Sequence, residues 1–349
     1  MKRRNKLLVL FLMLGLSLYG CRRGQSLPTG APTDAFIGGR EGVVFEFEKD
    51  APPPEVTDGA AFPFKAILNF ENKGEFKVLK NQIRVRIVGF NPGDFSQTYS
   101  GIATGILVGR YEPKDVTNSD GYGFTIEQDL EPKTRTPEGE VIDGGITFLS
   151  FPSGGYFNAV QFPGNTEFSF KAEVCYKYQT KAVAKLCVLQ NLIDSKPDAL
   201  CNPNEGKEIY SSGSPVQITN FRQNVVGQDS IVLSFDVVHS GSGTIYKDQG
   251  TDADEGICPR DDSARRRSSL DKIHLIIKHN NLEVTNKCSV ETGGFVRLID
   301  GRRTVTCRLD LYGRRQADYE SLVEIQADFN YDESKTTKVL VKHLPPRET

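Results

Sequence analysis

An alternation of apolar and polar residues with a period of two constrains the fold more than any other feature. It is clearest from residue 168 to 178, where every second residue is apolar: Phe168, Phe170, Ala172, Val174, Tyr176 and Tyr178. Successive side chains of a strand point to opposite faces, so this pattern predicts a strand with one buried face. Since no amphipathic helical segment of useful length interrupts similar runs elsewhere, the sequence predicts an all-β fold.

Shorter runs repeat this pattern in both halves of the chain. The predicted strands cover residues 43–47, 64–70, 82–88, 183–189, 231–237, 273–277, 323–331 and 337–341, and residues 296–305 are predicted to form a hairpin about Asp300-Gly301. Turns are expected at Thr180–Ala182, Asn280-Asn281, Asp300-Gly301 and Asp332–Lys335. From Phe95 to Pro152 the alternation weakens, and long loops around a few short strands are expected there.

Two similar stretches indicate an internal repeat, because residues 174–178 align with residues 327–331. The chain is therefore predicted to form two tandem immunoglobulin-like antiparallel β-sandwiches. The predicted organisation is a signal peptide at 1–21, a flexible tether at 22–39, a first sandwich with long loop insertions at 40–195, a linker at 196–213, a second sandwich at 214–344 and a tail at 345–349.

The N-terminus has the three regions of an export signal. Lys2, Arg3, Arg4 and Lys6 form a basic region. Residues 7–18 form an apolar run too short to span a bilayer, and the small residue Gly20 precedes Cys21. Leu18-Tyr19-Gly20-Cys21 resembles a prokaryotic lipobox, and the resemblance implies cleavage before Cys21 and lipid attachment to its sulfur. An ordinary cleaved signal and an uncleaved N-terminal anchor are the alternatives.

Six cysteines remain after Cys21, and an even number in an exported chain predicts disulfides. They are Cys175, Cys187, Cys201, Cys258, Cys288 and Cys307. None is closer than twelve residues to the next, whereas a metal site favours Cys-x-x-Cys pairs.

The pairing of these cysteines follows in part from the predicted strands. The turn at 180–182 would place Cys175 opposite Cys187, at a Cβ separation suitable for a disulfide. The other four cysteines allow three connectivities. Cys288 with Cys307 closes the most local loop, and Cys201 would then pair with Cys258.

Composition and motifs argue against several function classes. The net charge is −2, which does not predict a nucleic-acid interface. The sequence contains no His-Glu-x-x-His, Gly-x-Ser-x-Gly, P-loop or Gly-x-Gly-x-x-Gly motif, so no catalytic residue and no cofactor are predicted. An acidic loop is a weak calcium candidate, with a solvated loop as the simpler interpretation: Asp248, Asp252, Asp254 and Glu255.

Several short motifs resemble those of prokaryotic (archaeal-type) surface lipoproteins with tandem immunoglobulin-like, CARDB-like β-sandwich domains. The motifs are Gly42-Val43-Val44, Asn72-Lys73-Gly74, Cys175-Tyr176-Lys177-Tyr178-Gln179-Thr180 with Cys187-Val188, Ser214-Pro215-Val216, and Cys258, Cys288 and Cys307. The resemblance implies an extracytoplasmic binding or envelope protein with no known activity.

The function predicted is that of a non-catalytic cell-surface lipoprotein acting in binding, adhesion or envelope structure. Its expected partners are the membrane, through lipidated Cys21, and an unidentified surface protein or glycan. The expected location is the outer face of the cytoplasmic membrane or the cell surface. The alternative is an extracytoplasmic ligand-binding lipoprotein or enzyme with its site in residues 95–152.

Overall fold

The computed structural model describes residues 35–99, 102–106, 126–152, 155–193, 199–248, 258, 264–311 and 317–345. These residues contain twenty β-strands and one short α-helix, which confirms the predicted all-β class. The predicted signal peptide with Cys21, and most of the tether, lie outside the described residues.

The strands up to residue 188 are β1 (Val43–Phe47), β2 (Glu55–Thr57), β3 (Ala66–Asn72), β4 (Ile83–Val88), β5 (Phe95–Tyr99), β6 (Ile102–Ile106), β7 (Thr134–Arg135), β8 (Val141–Ile142), β9 (Ile146–Phe151), β10 (Tyr156–Ala159) and β11 (Thr166–Val188). The later elements are β12 (Ile209–Ser211), β13 (Val216–Val225), β14 (Ser230–His239), β15 (Thr244–Lys247), α1 (Ala264–Ser269), β16 (Lys272–His279), β17 (Leu282–Glu283), β18 (Phe295–Arg297), β19 (Arg302–Asp310) and β20 (Tyr319–Lys342).

Two long strands form the centre of the molecule. β11 and β20 run antiparallel and pair residue for residue over the 23 residues of β11, without a register shift. At ~3.4 Å per residue this ladder is about 75 Å long. The turns predicted at Thr180–Ala182 and Asp332–Lys335 are therefore wrong, because both segments lie inside continuous strands.

The first of the two mispredicted turns consists of residues that a strand accepts. Thr180 and Ala182 continue the buried face of β11 and lie opposite Ala327 and Ile325. Each long strand continues because the other pairs with it along its whole length and accepts or donates the main-chain hydrogen bonds of every second residue.

The remaining strands build layers on this central ladder. β4 and β12 pair with β11, β2, β15 and β16 pair with β20, and β17 and β18 pair with β16, so that nine strands form one sheet. Two three-stranded sheets, β1–β3–β9 and β13–β14–β19, pack on it at different positions along the ladder. The rings of Phe64 and Phe170 meet with centroids 5.9 Å apart, and Thr180 Oγ1 donates a hydrogen bond to the Val216 carbonyl at 2.7 Å.

One region is formed where β1–β3–β9 packs on the central sheet, and the other where β13–β14–β19 packs on it. These two sandwiched regions are not separate bodies, which corrects the predicted division into 40–195 and 214–344. Residues 34–349 form one compact unit, and one hydrophobic core extends from Val43 to Val341. Part of the predicted linker, 196–213, also belongs to the fold, since β12 pairs with β11. The aligned stretches 174–178 and 327–331 are neighbours in the β11–β20 ladder.

Two predicted turns are confirmed. Asp300 and Gly301 have φ values of 50° and 74°, and Asn280 and Asn281 have φ values of 50° and 63°. Two consecutive residues of positive φ match the twist of a tight antiparallel hairpin. These local predictions hold because a two-residue turn depends on its own residues more than on distant packing.

Candidate functional site

The most distinctive surface feature is a group of exposed apolar side chains on β8 and β9. We call it the β8–β9 surface, and it consists of Val141, Ile142, Ile146 and Phe148, with exposed fractions of 43%, 54%, 56% and 54%. Scattered single apolar residues are normal on protein surfaces, whereas several exposed apolar residues on two consecutive strands are a candidate contact region.

Local sequence explains why these side chains point outward. β9 alternates, so that Thr147, Leu149 and Phe151 are buried while Ile146 and Phe148 face solvent. The sequence Ile146-Thr147-Phe148-Leu149 is apolar on both faces, and this was the signal for an exposed apolar edge within the region from Phe95 to Pro152. A strand buried on both faces has the same pattern, so the pattern alone does not predict the exposed edge.

A second feature is a cleft of about 400 Å³ between the two sandwiched regions, which we call the junction cleft. It is lined by Arg40, Glu41, Gly42, Val43, Val44, Phe45, Tyr176, Pro215, Ser240, Gly241, Ser242, Tyr331, Glu333 and Lys335. Ser242 Oγ donates a hydrogen bond to Glu333 Oε1 at 2.6 Å. Residues from both halves of the chain therefore form its walls.

Two buried tyrosines line the inner wall of the junction cleft. Tyr176 donates its hydroxyl hydrogen to the Val43 carbonyl at 3.2 Å, and the Tyr331 hydroxyl accepts the Gly243 N–H at 2.7 Å. Burial raises the pKa of both phenols above their ordinary value. Burial also lowers the pKa of His239, whose Nε2 lies 3.1 Å from the Tyr331 hydroxyl. The three groups are thus uncharged at neutral pH and suit packing better than proton transfer.

A third feature is a polar groove of about 290 Å³ on the β13–β14–β19 sheet. At its centre Asp236 accepts hydrogen bonds from Asn220 at 2.7 Å, from Thr304 at 2.6 Å and from Arg302. Burial raises the pKa of the Asp236 carboxyl, but these hydrogen bonds outweigh it and hold the pKa below its ordinary value. The carboxylate is therefore already satisfied by the protein.

All six cysteines predicted to form disulfides do so, but two predicted pairings are wrong. The bonds are Cys175–Cys258, Cys187–Cys201 and Cys288–Cys307. Cys175 cannot reach Cys187 because both lie on β11, twelve residues and about 40 Å apart. Cys201 consequently bonds to Cys187, 14 residues before it. The local pair Cys288–Cys307 is as predicted.

The weak calcium site receives no support. Asp248 forms an ion pair with Lys177 at 2.8 Å, whereas Asp252, Asp254 and Glu255 lie outside the described residues. Among the residues that the structure describes, no group of three histidine, cysteine or acidic side chains is arranged to hold a metal ion.

The histidines have structural partners. Each has a polar neighbour: His239 lies 3.1 Å from Tyr331, His274 3.8 Å from Asp328, His279 2.8 Å from Ser321, and His343 2.7 Å from Asp58. His279 and Ser321 are both buried, so a substrate has no access to this pair. Within 95–152, the region of the alternative ligand-binding or catalytic site, residues 107–125 lie outside the described residues.

No family model matches the chain, and no curated protein matches it in sequence. Within the described ranges, no helix combines the length and apolar character needed to cross a membrane. The three disulfides indicate an oxidising, extracytoplasmic environment.

Proposed function

We propose that this protein is a non-catalytic binding module outside the cytoplasm, held at the membrane by lipid on Cys21. The observation that carries the proposal is the β8–β9 surface, where Ile146 and Phe148 are more than half exposed on a strand at the edge of a sheet. An apolar contact surface on a rigid scaffold is typical of proteins that bind other macromolecules.

The architecture supports a presenting role. A continuous ladder of 23 residue pairs resists bending at the junction of the two regions, because any hinge would break several hydrogen bonds. The Cys187–Cys201 bond ties the end of β11 to the segment before β12. The module therefore holds its surfaces in a constant arrangement.

The lipid anchor is proposed from the N-terminal sequence. A basic segment, an apolar run and Gly20 precede Cys21 in the order of a lipoprotein signal. An acyl chain contributes ~0.8 kcal/mol per buried methylene, and stable anchoring requires at least two chains. Anchoring would hold the module near its partner in the envelope.

Retention of the module on purified envelope of the producing organism tests the binding role. The soluble form, residues 22–349 without the lipid-bearing Cys21, is compared with the double variant Ile146→Ser/Phe148→Ser. The control is Leu282→Ser/Ile299→Ser, which removes two exposed apolar side chains elsewhere, with exposed fractions of 53% and 63%. We expect at least tenfold weaker retention for the first variant and no change for the control. Equal retention of all three proteins would contradict the proposal.

A further inference from the structure

The outer edge of β9 has no neighbouring strand among the described residues, since β9 pairs only with β3 there. We propose that this edge takes up an extended apolar segment of a partner protein as a fourth strand of the β1–β3–β9 sheet. The inference rests on the binding function proposed above and names both the partner's chemistry and its mode of attachment.

Hydrogen bonds on the two sides of β3 determine which groups of β9 are free. The Glu48 N–H donates to the Ile67 carbonyl at 2.8 Å, so Ile67 directs its main-chain groups towards β1. On the other side, the Asn72 N–H donates to the Gly145 carbonyl at 3.1 Å. Main-chain groups of a strand alternate in direction, so odd-numbered residues of β9 face β3 and even-numbered residues face away.

Three residues of β9 therefore offer main-chain groups to a new strand: Ile146, Phe148 and Ser150. Each provides one N–H and one C=O, which allows up to about six hydrogen bonds. The side chains of Ile146 and Phe148 lie on the solvent face beside this edge. An added strand with apolar residues at alternate positions would pair with both the main chain and these side chains.

These groups favour a strand over a lipid surface as the occupant. The hydrocarbon of a lipid surface would cover Phe148 but would leave the main-chain groups of the β9 edge without hydrogen-bond partners. Each polar group buried in this way costs about 1–3 kcal/mol of binding free energy. An extended main chain has matching donors and acceptors, so it covers the side chains without this cost.

The size of the apolar area favours a peptide segment over a second copy of this chain. Four roughly half-exposed side chains offer on the order of 400 Å². A stable interface between proteins needs about 800 Å² from each partner. The β8–β9 surface thus matches one strand better than a whole protein.

A second strand edge without a neighbour in the described structure, on β20, differs from the edge of β9 in its charge. β15 pairs with β20 up to Asp332, and β2 pairs with it from Leu340. In the described structure no strand covers the β20 edge between them. This segment carries Glu333, Lys335 and Lys338, and charged residues of this kind protect edges from unwanted pairing. The edge of β9, residues 146–151, carries no charged residue.

The two edges provide a matched pair of variants. Ser150→Pro removes a free N–H of β9 without removing a hydrogen bond to β3. Thr336→Pro likewise removes a main-chain N–H from the uncovered edge of β20 without removing a hydrogen bond to β11. The Leu340 N–H donates to the Pro54 carbonyl beside β2, so even-numbered residues of β20 direct their main-chain groups away from β11. Phe148→Ser removes apolar area from β9 and keeps its main chain. Circular dichroism and urea unfolding confirm that each variant is folded.

The test uses the soluble form, residues 22–349, to select binders from a phage library of random 12-residue peptides. The best peptide is synthesised with a fluorophore, and its affinity is measured by fluorescence anisotropy. We expect β-branched or aromatic residues at alternate positions of the selected peptides. Affinity should fall at least tenfold for Ser150→Pro and Phe148→Ser, and should change less than twofold for Thr336→Pro.

Four outcomes would overturn strand addition: no enriched peptide, unchanged affinity in Ser150→Pro, equal loss in Thr336→Pro, or a β9-dependent dimer in sedimentation velocity. If Phe148→Ser alone weakens the peptide, the β8–β9 surface binds by side-chain contact, and the proposed function stands. If envelope retention is also unchanged in Ile146→Ser/Phe148→Ser, the proposed function fails as well.

Discussion

Tyr176 lies directly opposite Tyr331 in the β11–β20 ladder, with ring centroids 5.7 Å apart. The two rings join the sandwiched regions, because Tyr176 bonds to Val43 on β1 and Tyr331 bonds to Gly243 before β15. The loop that contains Gly241 and Gly243 must therefore approach the Tyr331 ring closely. A Cβ atom at Gly241 would lie 2.1 Å from the Tyr331 hydroxyl oxygen.

Gly241→Ala is expected to destabilise the protein by about 1–3 kcal/mol, because the added methyl group forces the loop or the Tyr331 ring to move. The measurement is the free energy of unfolding in urea. Gly206→Ala is the control, since a Cβ atom there meets nothing within 4 Å. Equal stability of the two variants would show that the loop does not contact the ring.

Disulfide mapping without reduction should recover three linked peptide pairs: Cys175 with Cys258, Cys187 with Cys201, and Cys288 with Cys307. A peptide linking Cys175 to Cys187 would contradict the continuous strand β11.

Removal of the Cys175–Cys258 bond should cost more stability than removal of Cys187–Cys201. The two bonds span 83 and 14 residues. In the chain-entropy model these separations correspond to about 4.5 and 3 kcal/mol. The comparison is between the double alanine variants, Cys175→Ala/Cys258→Ala and Cys187→Ala/Cys201→Ala, by urea unfolding under non-reducing conditions. The reverse order would show that strain or packing dominates over loop closure.

Asp58 should make stability depend on acid pH. Hydrogen bonds from the Leu344 and Phe162 N–H groups, and then from His343, lower its pKa from 3.8 to about 2. A carboxyl with a lowered pKa stabilises the fold above its unfolded-state pKa and loses this contribution as pH falls through its folded-state pKa. Asp58→Asn should therefore be less stable than the wild type at pH 5, and the difference should narrow between about pH 4 and pH 2. A difference that is constant with pH would exclude this carboxyl as the cause.

Lipidation should depend on Cys21. Cells producing the full chain are expected to incorporate radiolabelled palmitate into it, and Cys21→Ser should abolish incorporation while a Ser17→Ala control keeps it. The reason is that the sulfur of Cys21 is the proposed attachment atom. Label in Cys21→Ser would remove the lipid anchor at this position from the proposal.

Local features of the fold could be predicted well from the residues themselves. Asp300-Gly301 and Asn280-Asn281 make tight turns because their own residues accept positive φ. The buried face of β11 follows from the alternation that ends at Tyr178, which one strand displays whatever lies beside it. The β8–β9 surface was not predictable in this way, because exposure at Phe148 depends on which face of β9 is covered by another layer of the fold.

The sequence by itself determined the class of structure and the chemistry available to it: strands with one apolar face, tight turns, and six thiols able to pair. Only the tertiary structure decided that Thr180 and Lys335 lie inside strands, that Cys175 bonds to Cys258, and that within the described residues one edge of β9 has no neighbouring strand. The physical reason is that alternation and turn propensity act between near neighbours in the chain. Strand continuation, disulfide pairing and edge exposure depend instead on main-chain and sulfur partners that are far apart in sequence.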